Sequence, residues 1–115
     1  MILSVLPFDL KQGRRDEFEK VFEQNQILEK AIEVEGCKQL FITSPSDDPN
    51  KVFVVGLWEN PEAYQRWMDH PQRGVGTEEL LNLVSGGFDP AAPAQHWNVL
   101  RSISEESTLN NSEPT

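Results

Sequence analysis

Disulfide bonding within this chain is excluded: it has one cysteine, Cys37, among 115 residues, and a single thiol has no internal partner. Cys37 opens the apolar run "CKQLFIT", where it reads as a small buried hydrophobe rather than a nucleophile. Basic residues are also scarce. Ten Lys and Arg stand against nineteen Asp and Glu, a formal charge of -9. A nucleic acid or an anionic membrane surface needs a basic patch, and this chain has none. The acidity serves solubility. No apolar run is long enough to cross a bilayer. The opening "MILSVLPFDLKQG" has no basic segment ahead of its apolar part, so it reads as a first strand and not a signal peptide. The expected location is therefore cytoplasmic. Two histidines, His70 and His96, have no spaced carboxylate or cysteine partners, so no metal site is expected. Gly-rich phosphate loops and nucleophile motifs are missing too, which leaves nucleotide-dependent and covalent chemistry unsupported.

What is present fits one domain. "ILSVLPF" (2–8) is short, apolar and branched, the pattern of a strand. Pro7 cannot donate to a ladder, which places that end at an edge or terminus. From Arg14 to Glu35 the apolar period becomes helical, with Phe18, Val21, Phe22, Leu28 and Ile32 on one stripe and Gly36 as the stop. Asn25 interrupts that stripe. A buried amide is costly unless bonded, so Asn25 either bonds neighbouring backbone or faces a cavity holding water or ligand.

"CKQLFIT" (37–43) and "KVFVVGLW" (51–58) read as two strands joined through the turn-rich "SPSDDPN". Asn60 and Pro61 suit the cap and first position of a helix running to about Asp69. "HPQRGVG" (70–76) breaks it, and Thr77 caps a further helix carrying Leu80, Leu81 and Val84. "FDPAAP" (88–93) reads as a loop and "QHWNVLRSI" (95–103) as a fourth strand. The domain thus spans 1–103, and 104–115 reads as a disordered C-terminal tail with little to bury.

The order is strand, helix, strand, strand, helix, helix, strand. With the two later helices taken as one broken crossover, this is an α+β, ferredoxin-like βαββαβ sandwich: a four-stranded antiparallel sheet with helices on one face. In the third strand, Phe53, Val55 and Leu57 point one way, and Val52, Val54 and Trp58 the other. Helices can cover only one of these apolar faces. The same face of a second copy would cover the other, giving a homodimer through the sheet face. The loop at 86–93 is the competing cover.

These residues resemble the antibiotic biosynthesis monooxygenase family, in the dimeric α+β barrel superfamily. The likeness rests on the apolar strand followed by Lys11 and Gly13 at the head of a long helix, on "EGC" (35–37), on the acidic loop "SDDPN", and above all on "LWENPEAYQRW" (57–67). It covers about residues 1–103. It implies a homodimer with sheets packed face to face. Known members of that family include cofactor-free quinone-forming oxygenases and haem-degrading oxygenases. In quinone-forming members the tryptophan and tyrosine of this stretch line the pocket, and Trp58 and Tyr64 match them. Two further positions depart: the family asparagine is Val54 here, and the family arginine falls near Glu78, with Arg73 close but out of register. For haem degradation Trp67 matches, but the iron-binding histidine is Thr77 and the first strand has Ser4 and Pro7 with no asparagine. Haem degradation is not expected.

The resulting candidates are Trp58, Tyr64 and Asn25 as catalytic residues, and Phe22, Trp67, His70 and Arg73 as substrate-binding residues. Trp58, Trp67 and Phe22 would wall a flat apolar slot, and Tyr64 and Asn25 would bond an oxygen of the ligand. Gly56 would either leave space beside the sheet or permit a close helix contact. His70, in the Gly-rich break, is a candidate proton carrier at the mouth. The aromatic residues also suit plain core packing. The expected activity is cofactor-independent oxidation of a small hydroquinone-like or polyphenolic aromatic by dioxygen, with no cofactor. The rival is a non-catalytic homodimeric module that binds a small apolar metabolite.

Overall fold

The computed structural model describes residues 1–86, 88–89 and 92–105. Most of the expected tail, residues 106–115, lies outside the described residues. Strands β1 (Ile2–Asp9), β2 (Cys37–Thr43), β3 (Lys51–Trp58) and β4 (Gln95–Asn98) form one sheet in the order β2-β3-β1-β4. Every pairing is antiparallel. Helices α1 (Arg15–Gln24), α2 (Ile27–Ala31), α3 (Pro61–Met68) and α4 (Thr77–Leu81) complete it. The chain is α+β and ferredoxin-like.

Period-2 alternation sorts the strands. Phe8, Val52 and Trp58 point towards the helices and are almost fully buried. Two packed groups form there. One gathers Phe8, Phe18, Phe22, Val52 and Leu80. The other gathers Ile2, Val34, Trp58, Ala63 and Tyr64. Leu6 and Trp67 touch both groups.

The opposite face is different. Register pairs Phe41 with Val55 and Val55 with Val5, then Leu57 with Leu3 and Leu3 with Trp97. Among the described residues no helix lies on this apolar patch, and Phe41 and Trp97 are 42% and 54% exposed. Phe88, in the loop expected as its alternative cover, lies on the helix side instead, packed on Phe8 with ring centroids 4.6 Å apart. Among the described residues no helix is long and apolar enough to cross a membrane.

Three elements depart from the sequence reading. The helix expected over 14–35 is two helices, because Gln26 takes a left-handed conformation (φ 51°). Asn25 contributes to the break: its side-chain Nδ2 donates to the Val21 carbonyl at 2.9 Å, a local bond that competes with continued helix. The break shifts the buried stripe, so Ile27 and Ala31 are buried while Ile32 is 44% exposed. In the region of α4, Leu83 is buried and Leu81 is 40% exposed. The fourth strand, expected to reach 103, ends at Asn98. Asn98 pairs with Ile2, where β1 begins, and the Val99 amide donates to the Met1 carbonyl.

Candidate active site

Trp58 ends β3 with its indole turned back along the strand. Its Nε1 donates to Ser4 Oγ on the neighbouring β1 at 2.9 Å, and both residues are buried. Gly56 makes this possible. It pairs with Ser4 across the ladder, and a Cβ placed there would fall 2.6 Å from Trp58 Nε1 and 3.0 Å from Ser4 Oγ. The glycine therefore admits its own strand's indole rather than a helix.

α3 supplies the second aromatic. Asn60 caps it by accepting from the Ala63 amide at 2.9 Å, which satisfies one of the helix's free donors. This start buries Ala63 and Tyr64 together against the sheet. The Tyr64 ring meets Trp58 edge-on at 5.5 Å and His96 edge-on at 4.5 Å. Its hydroxyl accepts from the Ala94 amide at 2.9 Å.

Between the two packed groups, over Ser4, Leu6, Val54 and Gly56, lies a cavity of about 380 Å³. That is within the common size range for small-molecule sites. Phe22, Trp58, Tyr64 and Trp67 wall it. Arg73, Gly74, Val75 and Thr77 line the part made by the break between α3 and α4. Arg73 is the only charged side chain among the described lining residues. The site is thus an apolar slot with three hydroxyls, those of Ser4, Tyr64 and Thr77, and one guanidinium. Such a slot can exclude water, orient a flat ring and donate hydrogen bonds to its oxygens.

Five of the seven candidate residues line this cavity: Trp58, Tyr64, Phe22, Trp67 and Arg73. Asn25 and His70 do not. The Asn25 amide is held on Val21 and packs on Gly76, where a Cβ would come within 2.9 Å of its Nδ2. His70 Nδ1 accepts from the Gln72 amide at 3.1 Å, and the ring lies 5.5 Å from Trp67. His96 points to the helix side, because it pairs with Ser4.

Ser4 is the polar lining residue that sequence reasoning did not single out. Its signal was present: it is the lone polar residue in the alternating set Ile2, Ser4, Leu6, Phe8. Cys37 is half-buried, and desolvation pushes its thiol up to about 11. It therefore stays protonated at neutral pH and is a poor nucleophile.

The family model for antibiotic biosynthesis monooxygenases matches residues 1–75, well over half of the chain. The chain belongs to this family. Solved structures of the same fold agree with that assignment at low identity. The cofactor-independent oxygenase SnoaB from Streptomyces nogalater is 18% identical, with 90% of this chain and 97% of that one covered and a TM-score of 0.68. A candidate antibiotic biosynthesis monooxygenase from Nitrosomonas europaea is 12% identical, with 88% and 100% covered and a TM-score of 0.72. Rv0793 from Mycobacterium tuberculosis is 12% identical, with 90% and 98% covered and a TM-score of 0.68. None of the curated proteins compared matches the chain.

Proposed function

We propose that this family member is a cofactor-independent monooxygenase that oxidises a small hydroquinone-like or polyphenolic aromatic with dioxygen. The observation that carries the reading is the apolar cavity walled by Phe22, Trp58, Tyr64 and Trp67. An electron-rich, deprotonated ring supplies both electron pairs itself. One oxygen atom enters the ring, the other leaves as water, and the ring ends as a quinone two hydrogens poorer. The protein's part is to exclude water, fix the ring and stabilise the phenolate and the developing carbonyl. Tyr64 meets such an oxygen, and Arg73 contributes positive charge from the part of the lining between α3 and α4.

We further propose that the working unit is a homodimer. The face carrying Leu3, Val5, Phe41, Val55, Leu57 and Trp97 is apolar, and no helix among the described residues lies on it. A second copy meets it through its own identical face by two-fold symmetry.

Binding without turnover is the second reading. The Trp58 N–H and the Tyr64 oxygen are each engaged within the protein, and Asn25 does not line the cavity. Oxygen consumption over a panel of hydroquinones separates the two. The oxygenase reading expects uptake above the uncatalysed background, one dioxygen per ring oxidised. Tight binding with no uptake across the panel would establish the binding module instead.

A further inference from the structure

The Trp58 indole has one hydrogen-bond donor and no acceptor. That donor is already spent on Ser4 Oγ, and Trp58 is 1% exposed. Trp58 therefore offers a ligand its ring but no hydrogen bond.

Ser4 is placed differently. A serine hydroxyl carries one proton and two lone pairs. Trp58 occupies one lone pair and so fixes where the oxygen sits. Among the described residues Ser4 accepts from Trp58 and donates to none. Ser4 is 6% exposed and lines the cavity, so the cavity is where its proton can find an acceptor. The Tyr64 hydroxyl repeats the pattern: it accepts from the Ala94 amide and donates to no described residue. Both residues adjoin Trp58, which donates to Ser4 and meets the Tyr64 ring at 5.5 Å.

We propose that Ser4 is a specificity-determining residue of this site: with Trp58 holding its oxygen, its hydroxyl donates into the cavity beside that of Tyr64, so the site selects aromatic ligands that present hydrogen-bond acceptors, namely quinone carbonyls and phenolate oxygens. Trp58 is on this account a positioning residue that acts through Ser4. The inference rests on the cavity being the aromatic site proposed above, but not on turnover. It follows that the quinone carbonyl and the phenolate bind better than a plain hydrocarbon ring of the same shape. A buried donor left without an acceptor is costly.

Duroquinone and durene test this. They share one methylated ring, and only the first has carbonyl oxygens. The parent protein binds duroquinone more tightly than durene, and the bound carbonyl stretch moves to lower frequency, as hydrogen bonding requires. Ser4→Ala weakens duroquinone by about tenfold, one hydrogen bond's worth, leaves durene within about twofold, and returns one carbonyl band towards its free frequency. Trp58→Phe retains a lowered band. Ser4→Ala leaves the Trp58 N–H without an acceptor, so the double variant Ser4→Ala with Trp58→Phe, which removes both partners, covers a failure of the single variant to fold. It shows the same loss of preference.

A carbonyl band lost in Trp58→Phe but kept in Ser4→Ala overturns the proposal and makes the indole the donor. Equal binding of duroquinone and durene by the parent overturns it as well, while leaving the cavity an aromatic site. Failure of both compounds to bind overturns the reading of the cavity and this inference with it.

Discussion

Trp58 Nε1 and Ser4 Oγ, 54 positions apart in sequence, are joined by a buried hydrogen bond of 2.9 Å. That bond requires glycine at position 56, because the indole crosses the space a side chain there would fill. Gly56→Ala therefore forces the tryptophan from its place. The variant is expected to lose about 1–3 kcal/mol, the range for overpacking. Chemical denaturation followed by tryptophan fluorescence measures this, and a neutral effect would show that the indole has slack.

Tyr64→Phe keeps the ring but leaves the Ala94 amide without its acceptor. Tyr64 and Ala94 are 5% and 8% exposed, so water does not readily replace the hydroxyl. A loss of about 1–3 kcal/mol is expected, the cost of an unsatisfied buried donor. Hydrogen exchange at the Ala94 amide should speed up in the same variant. An unchanged exchange rate would mean that this bond is not maintained in solution.

Gln26 carries a positive φ of 51° and is exposed. A side chain in this conformation is strained, and glycine is not. Gln26→Gly is expected to stabilise the fold by about 0.5–1 kcal/mol after the entropy of the unfolded glycine is counted. A decrease in melting temperature would instead show that the break between α1 and α2 is held by the glutamine side chain.

Val55 sits at the centre of the uncovered sheet face, paired with Val5 on one side and Phe41 on the other. If a second copy covers that face, Val55→Asp buries two unpaired charges at the symmetric contact. Light scattering should show a dimer for the parent and a monomer, or an unfolded chain, for the variant. A parent protein that scatters as a stable monomer contradicts the dimer.

Much of this fold is legible in the sequence because it depends on local period. Alternation in "KVFVVGLW" places Val52, Val54 and Trp58 on the helix side, and that is where they lie. The cap at Asn60 and Pro61 likewise follows from neighbours within one turn. The rest depends on distant partners. That Ser4 meets Trp58 follows from the β1–β3 register, and no local signal states a register. The shift of the buried stripe from Leu28 and Ile32 to Ile27 and Ala31 follows from one backbone conformation at Gln26, a residue type that rarely adopts it. Asn25 was legible as an anomaly, and the structure resolves it as a local bond. The sidedness of His96 and Trp97 became visible only once Ser4 was known to face His96.

The central claim is that the cavity over Gly56 is where an aromatic is bound and oxidised. Leu28 lines that cavity and is only half-buried, so Leu28→Trp fills the space with little disturbance to the core. The decisive measurement is oxygen consumption with the most reactive hydroquinone of a panel, for the parent and for Leu28→Trp, with circular dichroism confirming that both are folded. The account predicts uptake by the parent and a loss of at least about tenfold in the filled variant, as expected when reactants are denied their geometry. Equal uptake by the two folded proteins would contradict it.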